Sequence, residues 1–303
     1  MAQNLTARLG ISPIAWWNDD LPQLSERISL EEMLAEAAEA GYSGVETGRR
    51  FPTEARELLP LLDQHGLSIC GGWFSGELLH GDLSREIDRI APMIELFRAA
   101  EAPCIIYGET AASIQGDRTK PLASKVKLDE AQIRRYGRQM TEFGEYCAEA
   151  GMPLSYHHHM AAVIETEAEL DRFASQSGEG IPLLLDCGHM AFAGGDPLSV
   201  LRKHHRRISH IHAKDLRKDV VAGLNRNQAS FLDAVLQGAF TVPGDGDLDF
   251  AALTLLAAEL GYNGWFVVEA EQDPKSAPPR EMAHKGHAEL TSRLTNAGYT
   301  ILA

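Results

Sequence analysis

The sequence predicts a single closed (β/α)8 barrel spanning residues 1–303, and three observations carry that prediction. A short apolar strand ending in polar residues, then an amphipathic helix, recurs from one end of the chain to the other. Eight such strand ends can be picked out, spaced on average by roughly 36 residues, a comfortable length for one βα unit. The junctions also share phrasing. "AEAGYSGVE" and "AELGYNGWFVVE" are the same helix–Gly–Tyr–x–Gly–strand–Glu string, with looser variants in "AEAGMPLSYH" and "LDQHGLSICGGW".

Taken in order, the first strand is expected to end at Trp16-Trp17-Asn18. Ser29 then caps a helix, with Glu32 three residues on, and Leu30, Met33, Leu34, Ala37 and Ala38 form its apolar stripe. Gly41 closes that helix in a left-handed turn, and strand 2 runs to Glu46. Strands 3 and 4 end at Trp73 and Glu109, strand 5 at His157-His158-His159, and strand 6 at Asp186. Strand 7 ends at His210-Ile211-His212 and strand 8 at Glu269, after a helix from Phe250 to Leu260 that Gly261 closes. Two long loops, 111–127 and 214–249, and a tail, 274–303, are read as embellishments of one domain. The second loop is expected to hold a short helix near Gln228–Leu236, then Pro243-Gly244-Asp245-Gly246.

Composition narrows the function. With 44% hydrophobic and 23% charged residues, the chain is an ordinary globular one. A net charge of −15 argues against nucleic acid or an anionic membrane as partner, because both select basic surfaces. Cys70, Cys104, Cys147 and Cys187 form no C-x-x-C pair, so neither a zinc knuckle nor a redox motif is written here. With no signal-peptide core and no spanning run of apolar residues, the expected location is the cytoplasm.

In a barrel, reactive groups sit at the C-terminal ends of the strands, and here those ends are rich in metal-ligand types. Asp186 follows four apolar residues in "IPLLLDCGHM", where its bland use would be to cap the next helix; His189 lies three residues on. "ISHIHAKD" puts His210, His212 and Lys214 on one strand face, and "VVEAEQD" does the same for Glu269 and Glu271. Two carboxylates facing a closed barrel need a cation between them, either Lys214 or a metal. In "LSYHHHM", His157 and His159 share a face and His158 takes the other. The inward candidates are therefore His157, His159, Asp186, His212 and Glu269. Nitrogen and carboxylate oxygen without thiolate suit Mn²⁺, Co²⁺, Fe²⁺ or Zn²⁺, with Mg²⁺ also compatible. Trp16, Trp17, Asn18, Glu46 and Trp73 are expected to line a sugar-sized pocket, the plain alternative for the two indoles being to plug the barrel. Alternation along the strand would send the two neighbouring indoles to opposite faces.

The strings "GISPIAWWNDDLP", "GVETGRRFP", "YHHHM", "LLLDCGHMAFAGGDPL", "HIHAKD", "FTVPGDGDLDF" and "GWFVVEAEQDP" closely resemble the inosose dehydratases, within the xylose-isomerase-like barrel superfamily. That resemblance implies one divalent ion held by Asp186, His212, Glu269 and a strand-5 residue. The superfamily usually has Glu at the strand-5 place; here His157 matches it, with His159 as the alternative. It further implies Mn²⁺ or Co²⁺ as the leading metals and a response to glutathione, for which no motif in the chain supplies a site.

The implied reaction is dehydration of 2-keto-myo-inositol. A base removes the proton beside the carbonyl, an enolate is stabilised, and the β-hydroxyl leaves. His159, His189, Lys214 and Glu271 are the candidate catalytic groups: Glu271 or His159 as base, His159 or His189 as acid, Lys214 beside the oxyanion. A sugar isomerase or epimerase working through the same enediolate is the nearest rival. A phosphodiesterase on abasic DNA and a non-catalytic sugar-binding protein are more distant ones. The expected partner is a small polyol ketone, and a homo-oligomer is compatible with the sequence.

Overall fold

The computed structural model describes residues 5–24 and 28–303. Its strands are β1 (Thr6–Ile11), β2 (Gly44–Thr47), β3 (Ser68–Gly76), β4 (Ile105–Glu109), β5 (Leu154–His157), β6 (Leu183–Asp186), β7 (Ile208–Ala213), the two-residue β8 (Asp215–Leu216) and β9 (Phe240–Thr241), β10 (Gly264–Val268) and β11 (Thr300–Leu302). β1 to β7 and β10 form a parallel sheet that closes on itself through the β1–β10 pairing, while β11 adds to β1 in parallel. This is the expected eight-stranded barrel. The short β8 and β9 pair antiparallel inside the 214–249 loop.

Local sequence explains the elements. Ser29 accepts a hydrogen bond from the Glu32 amide at the start of helix Leu30–Ala40, and Gly41 ends that helix at φ 101°. Met33, Leu34 and Ala37 are fully buried on its inner side. Leu183, Leu184 and Leu185 are buried on both faces of β6, as parallel strands under a helix layer must be. The main core lies between the strands and the outer helices. A second apolar cluster, including Leu122, Met160, Phe192, Leu216, Phe231 and Phe240, joins the two long loops above the strand ends. The expected short helix in the second loop runs Phe231–Leu236. Among the described residues, no helix is long and apolar enough to cross a membrane.

The expectation for strand 1 needs correcting. β1 stops at Ile11, and the chain then makes a 3-10 turn at Pro13–Ala15, so Trp16 and Trp17 lie beyond the strand. Strand alternation therefore cannot govern their directions. Pro13 fixes a backbone angle suited to starting that turn.

Candidate metal centre and active site

Pairing register brings the ligand-type residues to one level. Asp186 on β6 is the register partner of His212 on β7, and His212 is the partner of Val267 on β10, two residues before Glu269. On the far side, His157 on β5 is the partner of Gly108 on β4. That glycine is required, because a Cβ there would lie 1.9 Å from the Trp73 ring. Trp73 occupies the vacated space and meets His157 edge-on at 5.5 Å.

His157, Asp186, His212 and Glu269 each bring one ligand-type atom within 4.8 Å of the others, and all four residues are buried. His212 Nδ1 lies 3.4 Å from Asp186 Oδ2 and touches Glu269 Oε2, while His157 Nε2 is 3.7 Å from Asp186 Oδ2. Asp186 divides its work. Oδ1 accepts from the His189 amide at 2.7 Å and caps helix Cys187–Phe192, so the capping role and the inward role coexist.

Asp186 Oδ2, His212 Nδ1 and Glu269 Oε2 are buried and have no hydrogen-bond partner. Three converging orphan atoms, two of them carboxylate oxygens, are what a divalent cation would satisfy. The electrostatics agree. Burial disfavours a charged His212, yet Glu269 and Glu46 raise its pKa well above the usual imidazole value, marking a place where positive charge is wanted. Burial, followed by the neighbouring His212, drives His157 the other way, to a neutral ring able to ligate. The residues present therefore fit a divalent ion.

A second group stands beside the first. His159, His189 and Glu271 are likewise buried within 4.8 Å of one another. His159 Nδ1 donates to the Met160 carbonyl at 2.6 Å, which leaves Nε2 as the lone-pair nitrogen, 3.8 Å from Glu271 Oε1. Lys214 is fully buried between the two groups, its Nζ 2.7 Å from Glu271 Oε2, 3.3 Å from Glu269 Oε1 and 3.3 Å from Asp186 Oδ2. Burial would strip its proton, but these three carboxylates raise its pKa and keep the ammonium charged. Lys214 reaches this position over Gly188, where a Cβ would stand 2.5 Å from Lys214 Cγ. The two carboxylates of "VVEAEQD" thus do share a cation.

The site opens into a cavity of about 680 Å³ lined by Trp17, Asn18, Glu46, Trp73, His159, His212, Phe231, Glu269 and Glu271, among others. The loop residues Ser113, Gln115 and Gly116 form part of its wall. Trp16, expected with this group, is not part of the lining: it is buried and donates Nε1–H to Glu36 Oε2 on helix Leu30–Ala40. Trp17 faces the cavity, with the Arg50 guanidinium 4.7 Å from its ring. Phe231 is a residue that sequence reasoning missed. It packs 5.2 Å from His159, and its only sequence signal was an aromatic at the head of the short loop helix.

Fold and site together define an α/β barrel with a buried four-residue candidate metal centre at the C-terminal ends of its strands. The family described as xylose isomerase-like TIM barrel matches residues 34–293. The Rhizopine catabolism protein MocC of Rhizobium meliloti is 40% identical over 297 residues, covering 98% of this chain and 91% of its own length. An inosose dehydratase of Erwinia tasmaniensis is 40% identical over 281 residues, covering 92% and 94%. The solved structure of IolI protein with a bound zinc atom superposes with a TM-score of 0.66 at 14% identity, covering 96% and 97%, a likeness of fold. The chain belongs to the xylose isomerase-like TIM barrel family. Its resemblance to the inosose dehydratases, and with it the expectation of an enzyme of the hydro-lyase class, is borne out by these relatives.

Proposed function

We propose that the protein dehydrates 2-keto-myo-inositol (scyllo-inosose) to a trihydroxycyclohexane-1,2-dione and water, using a divalent ion held by His157, Asp186, His212 and Glu269. The observation that carries this reading is the open Nε2 of His159, which lines the same cavity as His212 and Glu269. A bound divalent ion would supply Lewis-acid polarisation of the ketone, acidifying the neighbouring C–H.

The chain's own groups divide the remaining work. His159 takes the α-proton at Nε2 while the Met160 carbonyl holds its other nitrogen in place. Glu271, 3.8 Å away, stabilises the imidazolium that results. Glu271 is a poor base itself: despite its burial, the Lys214 ammonium holds its pKa far below the usual carboxylate value. Lys214 stays charged and serves the oxyanion that develops on the substrate. The proton held between His159 and Glu271 then goes to the departing β-hydroxyl. The apolar loop cluster above the strand ends limits access of bulk water.

The test pairs metal content with product. Wild-type protein should contain about one divalent ion per chain, form the dione from keto-inositol, lose that activity on chelation and regain it with metal. Asp186→Asn keeps an oxygen for the helix cap but loses the charge, so metal and activity should fall together while the fold persists. Full metal content in Asp186→Asn and in Asp186→Ala would remove Asp186 from the ligand set. Interconversion of ketohexoses in place of dione formation would favour the isomerase.

A further inference from the structure

We propose that Glu46 is a positioning residue that sets the tautomer of His212, so that His212 offers Nδ1, and not Nε2, to a divalent cation. The inference rests on the metal-centre reading above and assigns Glu46 a task other than contact with substrate.

Glu46 reaches from β2 across the barrel interior to β7. One of its oxygens, Oε1, lies 2.8 Å from His212 Nε2 and 3.1 Å from His210 Nε2. A carboxylate can only accept, so both rings must present N–H at Nε2. An imidazole that ligates a cation has given up its second N–H, so with Nε2 protonated the lone pair of His212 is on Nδ1. That nitrogen is the one aimed at Asp186 Oδ2 and Glu269 Oε2, and it is an orphan in the hydrogen-bond network.

His210 follows the same logic with a different end. Its Nδ1 faces the buried Cys104 thiol, with the sulfur 4.0 Å away, so an S–H donor covers its lone pair. Cys104, His210, Glu46 and His212 thus form one buried line leading to the metal centre, in which only the last ring has a free nitrogen. His157 reaches the same centre with the opposite nitrogen: its Nδ1 is turned to the His158 carbonyl, and Nε2 is left for the ion. The two histidine ligands are therefore held by different devices, a main-chain carbonyl and a cross-barrel carboxylate. A carboxylate behind a ligating imidazole fixes ring orientation and raises basicity, and removing such a partner typically weakens metal binding by about 10–100-fold.

The experiment uses the full chain labelled with ¹⁵N-histidine and loaded with Zn²⁺, read by long-range ¹H–¹⁵N correlation and by zinc titration. In the wild type, His212 should show a metal-bound Nδ1 and a protonated Nε2. Glu46→Gln keeps an oxygen at the same reach without the charge, and zinc affinity should drop about 10-fold with the tautomer retained. Glu46→Leu removes the acceptor; affinity should drop towards about 100-fold, and the His212 Nε2 proton should exchange rapidly with water. Coordination through Nε2 in the wild type would overturn the proposal while leaving the metal centre intact. So would a Glu46→Leu protein in which zinc affinity and the His212 tautomer are unchanged and only the melting temperature moves. Failure of the wild type to bind zinc would overturn the metal-centre reading, and this proposal with it.

Discussion

The ammonium of Lys214 lies 2.8 Å from Nε2 of His189, and the direction of that hydrogen bond decides what both groups can do. Lysine has no acceptor, so His189 must accept at Nε2 and carry its proton on Nδ1, a buried atom without a partner. His189 is then engaged at Nε2, where it steadies the Lys214 ammonium. Among the described residues, Lys214 is the one lysine or arginine paired with Asp186, Glu269 and Glu271.

Replacing Lys214 by Met should therefore be costly twice over. The oxyanion loses its partner, lowering kcat by about 10²–10³-fold. Three buried carboxylates lose their counter-ion, lowering stability by about 3–5 kcal/mol. Steady-state kinetics and denaturant unfolding read the two effects separately. A kcat within tenfold of wild type would take Lys214 out of the chemistry.

Trp16 and Trp17 should separate by function. Trp17→Ala removes part of the cavity wall and should raise KM with a smaller effect on stability. Trp16→Ala empties a fully buried site and frees Glu36 Oε2, and should destabilise by about 3–5 kcal/mol with KM little changed. Matching kinetic and stability profiles for the two variants would contradict the structure.

These two indoles also mark the limit of what the sequence discloses. Strand ends whose neighbours alternate between apolar and polar, such as "HIHAKD" and "VVEAE", declare their inward residues, and His212, Lys214, Glu269 and Glu271 all point where alternation puts them. Lys214, Glu269 and Glu271 already lie past the last residues of β7 and β10 and keep that direction; where the chain turns, the rule lapses. Pro13 turns the chain into a 3-10 segment, and the directions of Trp16 and Trp17 then depend on helix Leu30–Ala40 and the Arg50 side chain. The choice between His157 and His159 was hidden for the same reason. β5 ends at His157, and the carbonyls of His158 and Met160, invisible in a residue string, assign each ring its tautomer. Phe231 reaches the site from a loop helix far along the chain, a placement that only tertiary packing supplies.

Glu109 should give the fold a pH dependence near neutrality. It is buried outside the metal centre and accepts from Tyr107 OH, Leu79 N and Ala111 N, joining the loops after β3 and β4. Burial pushes its carboxyl up to about 7 from 4.5, the hydrogen bonds only partly offsetting it. The folded protein thus holds this proton more tightly than the unfolded chain between those values. Stability from this group is greatest below the unfolded pKa and falls as pH rises towards 7, by about 2–3 kcal/mol in all. Melting curves at pH 5 and pH 8 should show the loss, and Glu109→Gln should flatten it. An unchanged slope in Glu109→Gln would assign the pH dependence elsewhere.

His159 is the residue on which the order of chemical steps can be read. Burial first, and then the Lys214 ammonium, drive its pKa well below the usual imidazole value. A base must be unprotonated, so kcat/KM should fall only as pH drops through that depressed value, leaving the profile level from about pH 6.5 upwards on the acid side. If His159 is the base, His159→Ala should lose both dione formation and exchange of the substrate's α-hydrogen with D₂O, followed by proton NMR. Lys214→Met still has the base but lacks the cation beside the oxyanion, so α-hydrogen exchange and dione formation should slow together. Exchange that survives in His159→Ala while dehydration stops would make this ring the acid and pass the base role to Glu271. Dehydration that survives unimpaired would remove His159 from the mechanism, however well its open Nε2 faces the cavity.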